Sequence, residues 1–183
     1  PGPSPSRPVM PEALPADRGG NRALGILLDD PGAGRPVHVE HIPARAGQEV
    51  PWPSWVPAPV AEAFAARGIR APWTHQALAA DQARAGQNVI ISTAAASGKS
   101  LGYLLPALTA VLAGDTVLYV TPTKALAADQ LRSIRALGLP GVQAAVFDGD
   151  STRTERDWAR SHARYLLTTP DMLHRALLPR HNR

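Results

Sequence analysis

The chain has 183 residues, 44% hydrophobic but only 5% aromatic, with a formal net charge of +4 and a pI near 10.1. That is apolar material for one packed domain with an extension, and a basic balance that permits nucleic-acid binding without demanding it. With no cysteine, disulfides and Cys-based zinc sites are excluded. No apolar run approaches a membrane span and no signal-peptide core is visible, so a soluble, cytoplasmic protein with no membrane partner is expected.

In chain order, residues 1–22 are proline- and glycine-rich and read as a disordered tail with little to bury. Residues 23–56 read as a hairpin followed by an extended segment. Two short strands, Leu24–Leu28 and Val37–Ile42, flank the turn Asp29-Asp30-Pro31-Gly32. His38 and His41 alternate with apolar neighbours, as solvent-facing strand residues do. Trp52 and Trp55 lie among prolines, which suits a segment pinned to a surface by aromatic burial.

From residue 57 a helix carrying Val60 and Phe64 runs to Gly68, and helices and strands then alternate. Helices are expected over 75–85, 99–113, 123–137 and 152–162, with a last one from Asp171. Strands are expected over 88–93, 116–121, 142–147 and 165–169. Alternation of this kind means βαβ units, hence an α/β fold whose parallel sheet is flanked by helices. Ligands of such sheets gather at the carboxyl ends of the strands.

The polar small residues fall at those ends. Thr93-Ala94-Ala95-Ala96-Ser97-Gly98-Lys99-Ser100 joins a β-branched run to a helical pattern, the context of a phosphate-binding P-loop. Backbone N–H groups there make a nest for an anion. Gly98 allows close approach, Lys99 reaches the β and γ phosphates, and the Ser100 hydroxyl suits Mg²⁺. The full pattern asks for glycine where Thr93 stands. Pro122-Thr123-Lys124 follows the next strand, where Thr123 is either a helix cap or part of a phosphate site. Asp148-Gly149-Asp150 reads as a turn with solvated carboxylates, and Thr169-Pro170-Asp171 as a cap. Gln76 is either an adenine-reading amide or a surface residue at a helix start. Both lysines of the chain, Lys99 and Lys124, lie in these segments.

Taken together the segments resemble the ATP-dependent helicases of superfamily 2, the DEAD/DEAH-box-like group. Within it the chain is similar to the branch of DNA-repair helicases that includes the mitomycin-repair helicase and RecQ-like enzymes. Thr74-His75-Gln76 matches the adenine-reading Q motif, and Ser97-Gly98-Lys99-Ser100 matches motif I. Pro122-Thr123-Lys124-Ala125-Leu126-Ala127 with Gln130 matches motif Ia. Phe147-Asp148-Gly149-Asp150 matches the glycine-containing strand-binding segment, and Thr169-Pro170-Asp171-Met172-Leu173-His174 matches motif Ib.

The resemblance implies a partial RecA-like domain over 57–183. It implies ATP on Gln76 and on 93–100, with Lys99 catalytic and Mg²⁺ held at Ser100 through the nucleotide. A nucleic-acid strand, single-stranded DNA ahead of RNA, would lie on Pro122, Thr123, Lys124, Gly149, Thr169, Pro170 and Asp171. Ala94-Ala95 stands where that branch has Gly-Thr, and Ala95 lacks the usual hydroxyl. No Asp-Glu pair follows an apolar strand, and no second motor lobe is present. Weak binding without hydrolysis or unwinding is therefore expected of these residues alone. The alternative is a non-motor module that binds nucleotide or a partner. A P-loop kinase or a transporter ATPase would need a lid or a signature loop that is not found.

Overall fold

The computed structural model describes residues 47–94 and 96–180. The tail expected over 1–22, the strands at 24–28 and 37–42, His38, His41 and Ala95 lie outside the described residues. The elements are α1 (Ala58–Ala65), α2 (Thr74–Arg84), α3 (Ser100–Leu112), β1 (Val117–Val120), α4 (Lys124–Arg135), β2 (Ala144–Val146), α5 (Arg153–His162) and β3 (Tyr165–Thr168). A short α-turn, Pro170–Met172, then opens into a π-turn, Leu173–Leu177, and closes in a 3-10 turn, Leu178–Arg180. No helix of the described residues is long and apolar enough to cross a membrane.

The sheet is parallel, in the order β1-β3-β2. Val117 faces Tyr165 on one side, and Ala144 faces Tyr165 on the other. β3 is therefore the central strand. Its Tyr165 and Leu167 are fully buried, and Thr168 beside them donates to the Phe147 carbonyl at 2.7 Å. The core runs from these residues through Leu105 and Leu108 of α3 to Val60 and Phe64 of α1. Burial of this kind supplies the main drive to fold.

α2 and α3 pack closely because Gly102 has no side chain. A Cβ there would sit 3.0 Å from Ile91 Cδ1 and 3.3 Å from Ala79 Cβ. Trp52, Trp55 and Val56 pack on the same core. The Trp52 ring stacks on Phe64 at 6.3 Å, Trp55 Nε1 donates to Asp81 at 2.7 Å, and Glu49 bridges Trp73 antiparallel.

The strand expected over 88–93 forms no ladder with the described strands, and Ile90 is 94% exposed. β-Branched composition supplies a preference, but a strand exists only where a neighbouring backbone takes its hydrogen bonds. β1 is bonded along β3, and its other edge does not meet this segment. The helix expected from Asp171 starts one residue earlier, at Pro170, because Thr169 caps it through Met172 N. Beyond Met172 it is not regular α-helix, and Pro179, which has no N–H to donate, lies in its closing turn.

Candidate nucleotide and strand-binding sites

The sequence-predicted residues fall into two groups. The first surrounds the 93–100 loop. Ala96 takes φ +59° and Gly98 φ +69°, so the loop twice enters the left-handed region before α3 begins. An alanine held there is a strained residue of the kind that collects at ligand sites. Lys99 Nζ folds back onto the loop, donating to the Thr93 carbonyl at 3.0 Å and the Ala94 carbonyl at 2.8 Å. The hydroxyls of Thr93 and Ser97 are 2.5 Å apart. The backbone N–H groups of Gly98, Lys99 and Ser100 meet no acceptor among the described residues. Unmatched donors beside a lysine at a helix start are the chemistry an anion needs. The residues present thus fit a nucleotide phosphate, and the Ser100 hydroxyl at the start of α3 would be available to its metal ion.

Gln76 is 7% exposed and belongs to the same group. Its Oε1 accepts from Trp73 N at 2.8 Å, closing the first turn of α2, while Nε2 donates to the Gly98 carbonyl at 2.9 Å. One N–H and one lone pair of this amide remain for a ligand. His75 Nε2 lies 3.1 Å from the Ser97 carbonyl, a hydrogen bond that requires the proton on that nitrogen. Two neighbouring side chains of α2 therefore hold the loop by its carbonyls. A cleft of about 450 Å³ opens beside them, lined by Phe64, Ile69, Trp73, Gln76, Gly98 and Ser100 among others. Trp73, 38% exposed, tilts against His75 with ring centres 5.8 Å apart.

The second group lies at the carboxyl ends of the three strands. Thr123 caps α4 by accepting from Leu126 N at 3.2 Å, and Thr169 caps the short α-turn by accepting from Met172 N at 3.4 Å. Asp148 is tied into its own turn, accepting from the backbone of Asp150 and Ser151, each at 3.0 Å. That is the turn reading of the Asp148–Asp150 pair, and no cluster of metal-ligating residues occurs among the described residues. Lys124 Nζ pairs with Asp150 at 2.6 Å, joining the loop after β1 to the loop after β2. The hydrogen bond to Asp150 raises the Lys124 pKa, so the ammonium is charged at any physiological pH. Both partners are more than half exposed, so this pair contributes little to stability and is open to exchange.

Between α4 and α5 these loops border a cleft of about 610 Å³, floored by Ala128, Leu131, Ala145 and Val146. It is larger than the cleft at the 93–100 loop, yet it contains neither the anion nest nor the strained backbone. Sequence reasoning missed three contacts: His75 to Ser97, Gln76 to Gly98, and Arg156 Nη2 to the Gly149 carbonyl at 3.0 Å. The first two link residues 22 apart, and no local pattern reports such distances.

A parallel α/β sheet with a Gly-Lys-Ser turn opening a helix beside it defines a RecA-like P-loop domain. The family model described as DEAD/DEAH box helicase matches residues 73–183, and the chain belongs to that family. It is 42% identical over 116 residues to the ATP-dependent helicase HRQ1 of Saccharomyces cerevisiae, a stretch covering 60% of this chain and 11% of the relative. It is 32% identical over 164 residues to the uncharacterized ATP-dependent helicase YprA of Bacillus subtilis, covering 86% of this chain and 22% of that one. Among solved structures, the DUF1998 helicase MrfA bound to DNA and AMPPNP matches with a TM-score of 0.69 and 34% identity. That match covers 75% of this chain and 20% of MrfA. The chain thus spans between about a tenth and a quarter of the length of these relatives.

Proposed function

We propose that the chain is the nucleotide-binding and strand-gripping part of an ATP-dependent DNA helicase. The observation that carries this reading is the loop at 93–100, with its unmatched N–H donors and Lys99 beside a cleft bordered by Gln76. Family membership and the AMPPNP and DNA in the MrfA structure support the same ligands here. In this proposal Gln76 offers its remaining donor and acceptor to adenine. Residues 93–100, Ala94 and Ala95 included, wrap the phosphates, and Lys99 leaves the Thr93 and Ala94 carbonyls to meet them. Ser100 would hold Mg²⁺, which neutralises charge developing during phosphoryl transfer.

Pro122, Thr123, Lys124, Gly149, Thr169, Pro170 and Asp171 would take the backbone of a single strand. The resemblance to DNA-repair helicases favours DNA over RNA. Such binding is electrostatic and weakens with salt. These 183 residues contain no Asp-Glu pair to hold the metal and orient water, so they are proposed to bind nucleotide without hydrolysing it.

The test is an equilibrium titration of the chain with a fluorescent ATP analogue and Mg²⁺, beside Lys99→Ala. Saturable binding that the variant loses is expected. Equal binding by both proteins would remove the P-loop from the proposal. No binding by folded wild-type protein would favour a module that binds a partner instead.

A further inference from the structure

Resting on the strand-binding part of that proposal, we infer that the exposed arginine face of α5 continues the strand's path, taking backbone phosphates beyond the Gly149 turn. Arg153, Arg156 and Arg160 stand at offsets of three and seven residues, which puts them on one side of the helix. With Ser151 and Asp157 they line a cleft of about 430 Å³. Arg153 and Arg160 are 96% and 51% exposed and lie on either side of Asp157, at 3.9 and 3.3 Å. Two guanidinium groups share one carboxylate and the third donates to a backbone carbonyl, so the face keeps a positive excess. Each guanidinium has five donors, and a single monodentate pair leaves most of them unused. Asp157 therefore leaves the donors of Arg153 and Arg160 largely free.

Two features select nucleic-acid backbone as the partner. The first is continuity: Arg156 donates to the Gly149 carbonyl at 3.0 Å, so the arginine face begins where the strand-binding turn ends. The second is composition. Every residue lining this cleft is polar or charged, whereas a protein-docking surface centres on a buried apolar or aromatic anchor. A phosphate track needs charge and bidentate forks, and no apolar floor. Arg160 also lies over the Phe147 ring, 5.3 Å from its centre, which fixes one end of the track. From Arg153 to Arg160 the helix rises about 10 Å, enough to span two or more phosphates of one strand.

The experiment measures binding of the full chain to a labelled oligothymidylate across a range of salt concentrations. The proteins compared are wild type, Arg153→Ala/Arg160→Ala and Arg132→Ala. Arg132 is an exposed arginine of α4, paired with Asp129 outside this face, so it controls for lost charge alone. Circular dichroism establishes that each variant is folded, and the charge-neutral Arg153→Gln/Arg160→Gln repeats the test with longer side chains. The double variants are expected to bind more weakly, with a log Kd against log salt slope shallower by about 1.4, the loss of two single-strand phosphate contacts. Arg132→Ala should leave the slope unchanged. Wild-type binding with an unaltered slope in the double variants overturns this inference alone. Absence of any salt-dependent wild-type binding overturns it together with the strand-binding proposal. Loss of poly-glutamate binding with intact DNA binding would make the face an acidic-peptide site and overturn it too.

Discussion

At the scale of single residues, Gly98 has two independent reasons to be glycine. Its φ of +69° is a conformation that other L-residues adopt at a cost of about 1–2 kcal/mol. A Cβ at that position would also lie 2.5 Å from Gln76 Nε2. Gly98→Ala should therefore destabilise the chain and push Gln76 off the loop, lowering nucleotide affinity as well. Adding Gln76→Ala removes the clash, so the double variant should lose less stability than the two single losses added together. A double-mutant cycle by urea denaturation measures that coupling; strict additivity would mean that the amide and the glycine do not press on each other. Gln76 shows how a residue marked for ligand recognition is also structural, since its carboxamide closes one helix and holds the next loop.

Helix α5 illustrates the element scale. Thr152 and Glu155 cap its start reciprocally, with Thr152 Oγ1 accepting from Glu155 N at 3.2 Å and Glu155 Oε2 accepting from Thr152 N at 2.7 Å. Thr152→Ala should cost about 1 kcal/mol, read from thermal or urea unfolding. The backbone hydrogen bond from Thr152, then its hydroxyl, holds the Glu155 carboxyl below its ordinary value of 4.5. A depressed folded pKa stabilises the fold above the unfolded value, and the effect fades as pH falls through the folded one. The stability gap between wild type and Glu155→Gln should accordingly be present at neutral pH and close below pH 4.5. A gap that stays constant down to acid pH would show that the ionised carboxylate is not what the cap uses.

Tyr165 in β3 carries the opposite lesson. Its ring is fully buried and its hydroxyl has no partner among the described residues, while burial raises its pKa. A buried hydroxyl without a partner is a net cost, so Tyr165→Phe should leave stability unchanged or raise it by up to about 1 kcal/mol. A clear loss in calorimetry would reveal a partner for that hydroxyl. The cap at Thr169 was legible in the sequence because a cap is a local contract over four residues. The missing partner of Tyr165 was not, because burial is set by elements far apart in the chain.

At the scale of the whole molecule, β1 forms one border of the described sheet, and its Leu118 and Val120 are 46% and 41% exposed. Residues two apart in a strand share a face, so these two side chains make one apolar strip on an open edge, a template for association. Leu118→Lys should lower concentration-dependent light scattering while leaving the melting temperature nearly unchanged. Scattering that persists in the variant would move the sticky surface elsewhere, Ile90 being the next choice at 94% exposure.

The sequence by itself determined the alternation of helices and strands, the parallel α/β class, the cap at Thr169, and the position of the Gly-Lys-Ser turn. These rest on hydrophobic period, turn chemistry and short spacings, which act over a few residues and are therefore written locally. Only the tertiary structure decided that β3 is central and that residues 88–93 pair with no described strand. It also set Gln76 and His75 on the carbonyls of the 93–100 loop and Arg156 against Gly149. Those outcomes depend on which backbones and side chains meet across long stretches of chain. Such meetings are fixed by packing the whole core at once, so no single stretch of sequence records them.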